Sequence, residues 1–393
     1  MNTLVINCGS SSLKFAVYNT DNGNCHVKGL AEPIGGVKPT LTWTDESGEK
    51  HVQKLPAHAD LKTALKALGK HALGTLKIDS VGHRTVHGGE RFQEPTLITE
   101  QVLEEIEACN HLAPLHNPAN LLGIQEAQAA FPDVPHVGVF DTAFHQSIAK
   151  EAYLYPLPYE YYEKYGIRRY GFHGTSHRYV YQQAADILGK PIEKTSIISA
   201  HLGNGCSATA ASGGLSRDTT MGLTPLEGLV MGTRCGDIDP SIHGFLQKRN
   251  GMSLKEIDSV LNKKSGLLGL SGISNDMRTL REKAAEGSER ARLALDIFVF
   301  RLAKSIAGLR VAIDDCDALI FTGGIGENDR ATRAETINRL GFLGLTLDPV
   351  ANANNGVDQK GRITTPESSV AAYVIPTNEE LMIAQETASI LGQ

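Results

Sequence analysis

The chain has 393 residues, enough at about 100–200 residues per domain for two to three domains. Apolar residues make up 41% and charged residues 21%, which excludes intrinsic disorder or low complexity for the chain as a whole. The net charge of −6, from 44 acidic against 38 basic residues, argues against a general nucleic-acid or anionic-membrane surface but leaves room for a local cationic pocket.

In chain order, MNTLVINCGSSSLKF lacks a basic leader and meets Asn7 and Gly9 early, so it predicts a strand and turn rather than a signal peptide. Residues 3–6 and 13–18 are β-rich runs around CGSSS, a predicted hairpin. Asn117, with Pro118 at the first helical position, predicts a helix cap before NLLGIQEAQAAF. Seven of the eleven tyrosines fall between Tyr153 and Tyr170, a pattern that fits an inter-domain connection, an interface or an aromatic surface loop. Residues 195–200 predict a buried strand, LGNGCS a turn and ATAASGG the next strand, so the first hairpin unit recurs almost 200 residues on and hints at internal duplication. Residues 289–313 carry apolar side chains near helical spacing. ALIF at 318–321 then predicts a strand, GGIGEN its turn and ATRAETINRL a helix, and Thr377 with Glu380 predicts a capping box for the last helix. Strands alternating with helices predict α/β domains. No run of 18 apolar residues occurs, and six cysteines without a CxxC pair predict reduced thiols, so a soluble cytoplasmic protein is expected.

Three glycine-rich turns follow predicted strands: NCGSSSLK at 7–14, HLGNGCS at 201–207 and GGIGEN at 323–328. Glycine admits positive φ and lets amide N–H groups approach an anion, while Ser10, Ser11, Ser12 and Lys14 add hydroxyl donors and one cation. Any one of these is most often just a turn; three in one chain point to phosphate. The P-loop pattern and the protein-kinase set are absent, and GGIGEN lacks the third glycine of a dinucleotide fingerprint. Charged clusters stand beside these turns. GHRTVHGGERF carries Arg84, YGFHGTSHR carries His173, MGTRCGDIDP carries Arg234, and VFDTAFH sets Asp141 just after an apolar run. In open α/β sheets ligands bind at the carboxyl ends of strands, where such an aspartate would sit. Each residue singly reads as well as a salt bridge, a structural histidine or a turn former.

Together NCGSSSLKF, GHRTVHGG, LAPLHNP, VFDTAFH, YGFHGTSH, HLGNG, EGLVMGTRCGDIDP and FTGGIGEN closely resemble the acetate kinase family, in its order and over essentially the whole chain. The resemblance implies two duplicated ribonuclease-H-like (actin-like ATPase) domains with a nucleotide cleft between them. One comprises residues 1–148 with the returning 380–393, and the other residues 149–379. It implies reversible, Mg²⁺-dependent (or Mn²⁺-dependent) phosphoryl transfer from ATP to acetate, giving acetyl phosphate and ADP, in a homodimer. By the same resemblance Arg84 and Arg234 clamp the carboxylate and the phosphoryl oxygens, His173 donates to those oxygens, and Asp141 serves as acid/base or as an orienting group. Asn7 and Glu379 match the metal positions, though Glu379 also suits a helix N-terminus. Ser10, Ser12 and Lys14 match phosphate contacts, as do His201, Leu202, Gly203, Asn204 and Gly205. Asp276, Met277 and Arg278, with Gly323, Gly324, Ile325, Gly326 and Glu327, match the adenosine half. Val86, Leu115, Phe172 and Pro225 match an apolar wall around the acetate methyl. Cys206 and Cys235 depart from many relatives and read as packing substitutions. A non-catalytic nucleotide switch is the competing class; it would have no use for the two arginines.

Overall fold

The computed structural model describes residues 1–114 and 116–392, so the expectation for Leu115 lies outside the described residues. The chain divides into two compact units, Met1–Gln146 with Asn378–Gln393, and Ser147–Thr377. Both crossings fall two residues earlier than the expected 148/149 and 379/380, so Glu379 belongs to the first unit rather than the second.

The first unit holds β1 (Asn2–Cys8), β2 (Leu13–Asn19), β3 (Cys25–Glu32), β4 (Thr40–Asp45), β5 (Lys50–Lys54), β6 (Ser80–Thr85), β7 (Thr96–Leu97) and β8 (His136–Phe140). Their order in the sheet is β5-β4-β3-β2-β1-β6-β8-β7. The hairpin expected around CGSSS is β1–β2, with Asn7 opposite Lys14, while β6 and β8 continue the sheet parallel to β1. Alternate residues of β1 face opposite ways, and both faces are buried. Leu4, Ile6 and Cys8 join one core with Leu13, Phe15 and Val17, whereas Val5 joins another with Ala16, Val137, Val139, Ile383 and Ala384. The last two come from the terminal helix Glu379–Ile390, which lies on that second face. Gly82 permits this: a Cβ there would meet Thr387 Oγ1 at 2.5 Å and Ile383 Cγ2 at 2.8 Å.

The second unit holds β9 (Ser196–Leu202), β10 (Cys206–Ser212), β11 (Leu215–Thr219), β12 (Ala318–Thr322) and β13 (Ala371–Val374), ordered β11-β10-β9-β12-β13. β9 and β10 are the second expected hairpin, and β12 and β13 continue the sheet parallel to β9, as β6 and β8 continue theirs parallel to β1. The five strands thus repeat the β3-β2-β1-β6-β8 pattern of the first unit. The duplication hinted at by two short hairpins is the organising feature of the fold.

Three local expectations are corrected. GGIGEN is a helix, Gly323–Asn328, not a turn: Gly323 alone takes the left-handed φ of +75°, and the helix starts there, directly after β12. Asn117 is the first helical residue of Asn117–Ala130, behind His116, because its side chain is occupied elsewhere. The last helix is capped by Asn378, whose side chain accepts from Leu381 N at 3.0 Å; Thr377 Oγ1 is 2.7 Å from Ser176 Oγ instead.

Behind Arg84 on β6, His83 is 2% exposed and stacks on His136 of β8, with His83 Nε2 2.8 Å from His136 Nδ1. His136 Nε2 lies 3.0 Å from the Phe131 carbonyl oxygen. Burial pushes both rings below their usual pKa, and the His136 ring adds to the effect on His83. The neutral forms are therefore native, and the unfolded chain binds more protons below about pH 6.5. Melting temperature should fall as the pH drops from about 6.5, while NMR shows both rings neutral up to unfolding. An imidazole of this pair that titrates near pH 6.5 in the folded chain contradicts the reading.

Candidate active site

In the first unit, three parallel strands deliver three polar side chains at their carboxyl ends. Asn7 is the penultimate residue of β1, Arg84 of β6, and Asp141 directly follows β8. Register fixes their neighbourhood, since Arg84 pairs with Val139 and Asp141 N donates to Thr85 O at 2.9 Å. The Arg84 guanidinium grips Asp141 through two bonds, Nε to Oδ1 at 3.2 Å and Nη2 to Oδ2 at 2.6 Å, and its Nη1 reaches Asn7 Oδ1 at 3.5 Å. Asp141 is 2% exposed and the Arg84 side chain 24%. Burial works against the charge on Arg84, but the carboxylates of Asp141 and Glu379 outweigh it and raise its pKa. This is a fixed, forked cation with one edge committed to Asp141.

Glu379 opens the terminal helix and is half-buried. Burial raises its carboxyl to about 7, opposed by Arg84 and Lys14 and assisted by Asp141 and Glu380. Because Arg84 is already held by Asp141, this carboxylate keeps an uncompensated share of charge. Its carboxylate and the amide oxygen of Asn7 are both hard oxygen donors, the kind that suits a divalent cation completed by water and phosphate. Lys14 and Ser10 are exposed, and Ser12 half-buried, in the turn closed by Gly9 N donating to Ser12 O at 2.8 Å.

The loop after β6 is pinned by residues that the sequence reading did not single out. Asn120 Oδ1 accepts from Val86 N at 3.0 Å while its Nδ2 donates to Cys8 O at 2.8 Å. Asn117 spans His87 in the same way, accepting from its N at 3.1 Å and donating to its O at 2.9 Å. Thr142 Oγ1 accepts from Gly88 N at 3.1 Å. Two asparagines three apart on one helix face, both buried, were the available signal.

In the second unit, His201 and Leu202 end β9, and Gly203 N donates to Gly205 O at 3.0 Å to close the turn into β10. A carbon added to Gly205 would stand 3.5 Å from both Arg234 Nη1 and His173 Nε2. The turn therefore brings together the arginine and the histidine of two motifs 61 positions apart in the sequence. Arg234 Nη1 also donates to the Pro225 carbonyl at 3.0 Å. Burial lowers the pKa of Arg234 from its usual value, so its charge is held in a poorly solvated place where an anion is welcome. His173 sits at φ +56°, just ahead of the helix Gly174–Leu188, and its ring stacks on His201 at 4.3 Å. Phe172 is 2% exposed and Pro225 half-buried.

A cavity of about 860 Å³ opens beside this turn. Of the expected nucleotide residues, Gly203, Asn204, Asp276, Met277, Arg278, Gly324 and Ile325 line it. Gly323, Gly326 and Glu327 are not among its lining residues. Glu327 Oε1 accepts from Gly323 N at 2.9 Å and from Thr377 N at 3.2 Å. The expectation omitted Asn275, whose Nδ2 donates to Asn204 Oδ1 at 3.1 Å, and Arg281, held by Asp329 and Glu335. Its volume is ample for an adenosine.

Cys206 is buried with its thiol pushed up to about 12 by burial, and burial raises Cys235 as well, so neither forms a thiolate readily. Among the described residues no helix is long and apolar enough to cross a membrane.

Comparison with known proteins covers the whole chain. The family model described as the Acetokinase family matches residues 2–385. An acetate kinase from Deinococcus radiodurans is 52% identical over 396 residues, covering 99% of this chain and 98% of that one. Among solved structures, a propionate kinase from Francisella tularensis superposes with a TM-score of 0.93 at 47% identity, covering 99% of each chain. The acetate kinase of Porphyromonas gingivalis gives a TM-score of 0.92 at 42% identity, again over 99% of each chain.

Proposed function

The chain belongs to the acetokinase family, and from that premise we propose that it transfers the γ-phosphoryl group of ATP to acetate, reversibly and by direct in-line displacement, giving acetyl phosphate and ADP. A carboxylate oxygen of acetate forms the new bond to the γ-phosphorus as the bond to the bridging oxygen breaks and its electron pair leaves with ADP. Acetate is already ionised near neutral pH, so no proton need be removed before it attacks. That favours the orienting role for Asp141, and the two-bond grip on Arg84 supports it.

In this reading Arg84 binds the acetate carboxylate and, as the reaction proceeds, the phosphoryl oxygens. Arg234 and His173 neutralise those oxygens from the turn at Gly205, because phosphoryl transfer depends on positioning and charge stabilisation more than on covalent help. Ser10, Ser12 and Lys14, with His201 to Gly205, hold the phosphates, and the 860 Å³ cavity takes the adenosine. Val86, Phe172 and Pro225 surround the methyl group. Asn7 and Glu379 would hold Mg²⁺, or Mn²⁺, which when bound offsets the charge of the β- and γ-phosphates. We assign the enzyme to the cytoplasm as a homodimer, with no nucleic-acid or membrane partner.

The observation that carries this reading is the Arg84–Asp141 pair at the carboxyl ends of parallel strands, in a chain matched over its full length by acetate kinases. Its test is hydroxylamine trapping of the acyl phosphate with acetate and with propionate as acceptors. Acetohydroxamate should form in an ATP-dependent manner, with kcat/KM for acetate about tenfold above propionate, since one methylene is worth about 1–3 kcal/mol. No hydroxamate from either acid refutes the activity; a preference for propionate reassigns the acceptor.

A further inference from the structure

His173 ends a hydrogen-bonded line of four side chains. Ser199 Oγ lies 2.7 Å from His177 Nδ1, His177 Nε2 lies 2.7 Å from Ser207 Oγ, and Ser207 Oγ lies 2.9 Å from His173 Nδ1. Ser199, His177 and Ser207 are each 1% exposed or less.

The direction of the line follows from its buried end. Among the described residues the Ser199 hydroxyl makes a single hydrogen bond, the one to His177 Nδ1. Leaving a buried hydroxyl proton without an acceptor is costly, so Ser199 donates. His177 Nδ1 is then an acceptor, and the ring proton is on Nε2, donated to Ser207 Oγ. Ser207 gives its own proton to His173 Nδ1. The proton of His173 is therefore on Nε2, the nitrogen near Gly205 and Arg234 Nη1. The opposite direction, or a His177 imidazolium, would make Ser199 the acceptor and strand its proton.

We propose that Ser199, His177 and Ser207 are positioning residues that lock His173 in the Nε2–H tautomer, so that the ring offers a donor rather than a lone pair to the phosphoryl oxygens. The destination of that donor rests on the phosphoryl-transfer reading; the tautomer itself does not. A lone pair at Nε2 would face the oxygens with like partial charge, so the lock decides whether His173 assists or opposes the reaction.

Long-range ¹H–¹⁵N spectra of the nucleotide-free chain labelled with ¹⁵N-histidine, with His173 assigned through His173→Gln, read the tautomer directly. The expected result is an Nε2–H ring; an Nδ1–H ring overturns the proposal. Ser207→Ala should mix the two tautomers and lower kcat about tenfold, less than the about 10²–10³ lost when such a donor is removed outright, with KM for ATP within about threefold. Ser199→Ala leaves the Ser207–His173 contact in place and should still loosen the tautomer, while Ser199→Thr, which keeps the hydroxyl, should restore it. If Ser199→Ala leaves His173 unchanged, the line does not set the tautomer and the proposal fails. An Nε2–H ring that responds to Ser199→Ala in a chain unable to make acyl phosphate sustains the lock and removes only the reaction.

Discussion

Arg84→Ala should lower kcat by about 10³ and also destabilise the first unit, and the two effects can be separated. The guanidinium is the partner of a carboxylate that is 2% exposed, held by bonds of 2.6 and 3.2 Å. Removing it leaves Asp141 buried without its counter-charge, a loss of about 3 kcal/mol. Asp141→Asn keeps the shape of the partner and one acceptor oxygen, and sets an amide NH₂ against the second guanidinium donor. It should retain more of the stability but release the fixed orientation of Arg84, lowering kcat by about 10². Denaturant unfolding and steady-state kinetics on both variants check this. If Asp141 were an obligatory base, Asp141→Asn would be at least as inactive as Arg84→Ala, with a pH–rate profile that loses its acidic limb. Arg84→Lys should not rescue, because an ammonium cannot hold Asp141 with two bonds while presenting a further edge to a second anion.

Arg234→Ala should abolish turnover while sparing nucleotide binding. Its Nη1 stands 3.5 Å from the position of a carbon on Gly205, next to His173 Nε2, yet Arg234 does not line the 860 Å³ cavity. The expected pattern is kcat lower by about 10³, the scale associated with arginines that neutralise a transferring phosphoryl group, and Kd for ADP within about threefold. Calorimetry with ADP alongside the trapping assay measures both. Near-normal turnover would contradict the role assigned to Arg234, and ADP binding without any acyl phosphate from the unaltered chain would favour the non-catalytic nucleotide switch; a large loss of ADP affinity would make Arg234 a nucleotide residue instead.

Much of this was legible in the sequence, for physical reasons that differ by element. β1 and β9 read clearly because strands buried on both faces are unbroken apolar runs, and the Gly/Ser turns after them mark the hairpins. Asp141 read clearly because it ends such a run. Helix starts read less well. Asn117 and Thr377 have the chemistry of caps, but their side chains are taken by the His87 backbone and by Ser176, partners distant in sequence that no local pattern reports. GGIGEN looked like a turn because glycine has low helix propensity; the helix forms because Glu327 satisfies Gly323 N and Arg333 donates to the carbonyls of Gly326 and Glu327 at 2.9 Å. The line from Ser199 to His173 was illegible for the same reason, except that His173 and His177 stand four apart, one helical turn.

The most direct measurement is the stereochemical course at phosphorus with ATP made chiral at the γ position by oxygen isotopes. A single in-line transfer from ATP to acetate predicts inversion of configuration in the acetyl phosphate formed. Retention would mean two displacements through a phosphorylated side chain, with the carboxyl of Asp141 or Glu379 as the acceptor, and would contradict the roles assigned to both.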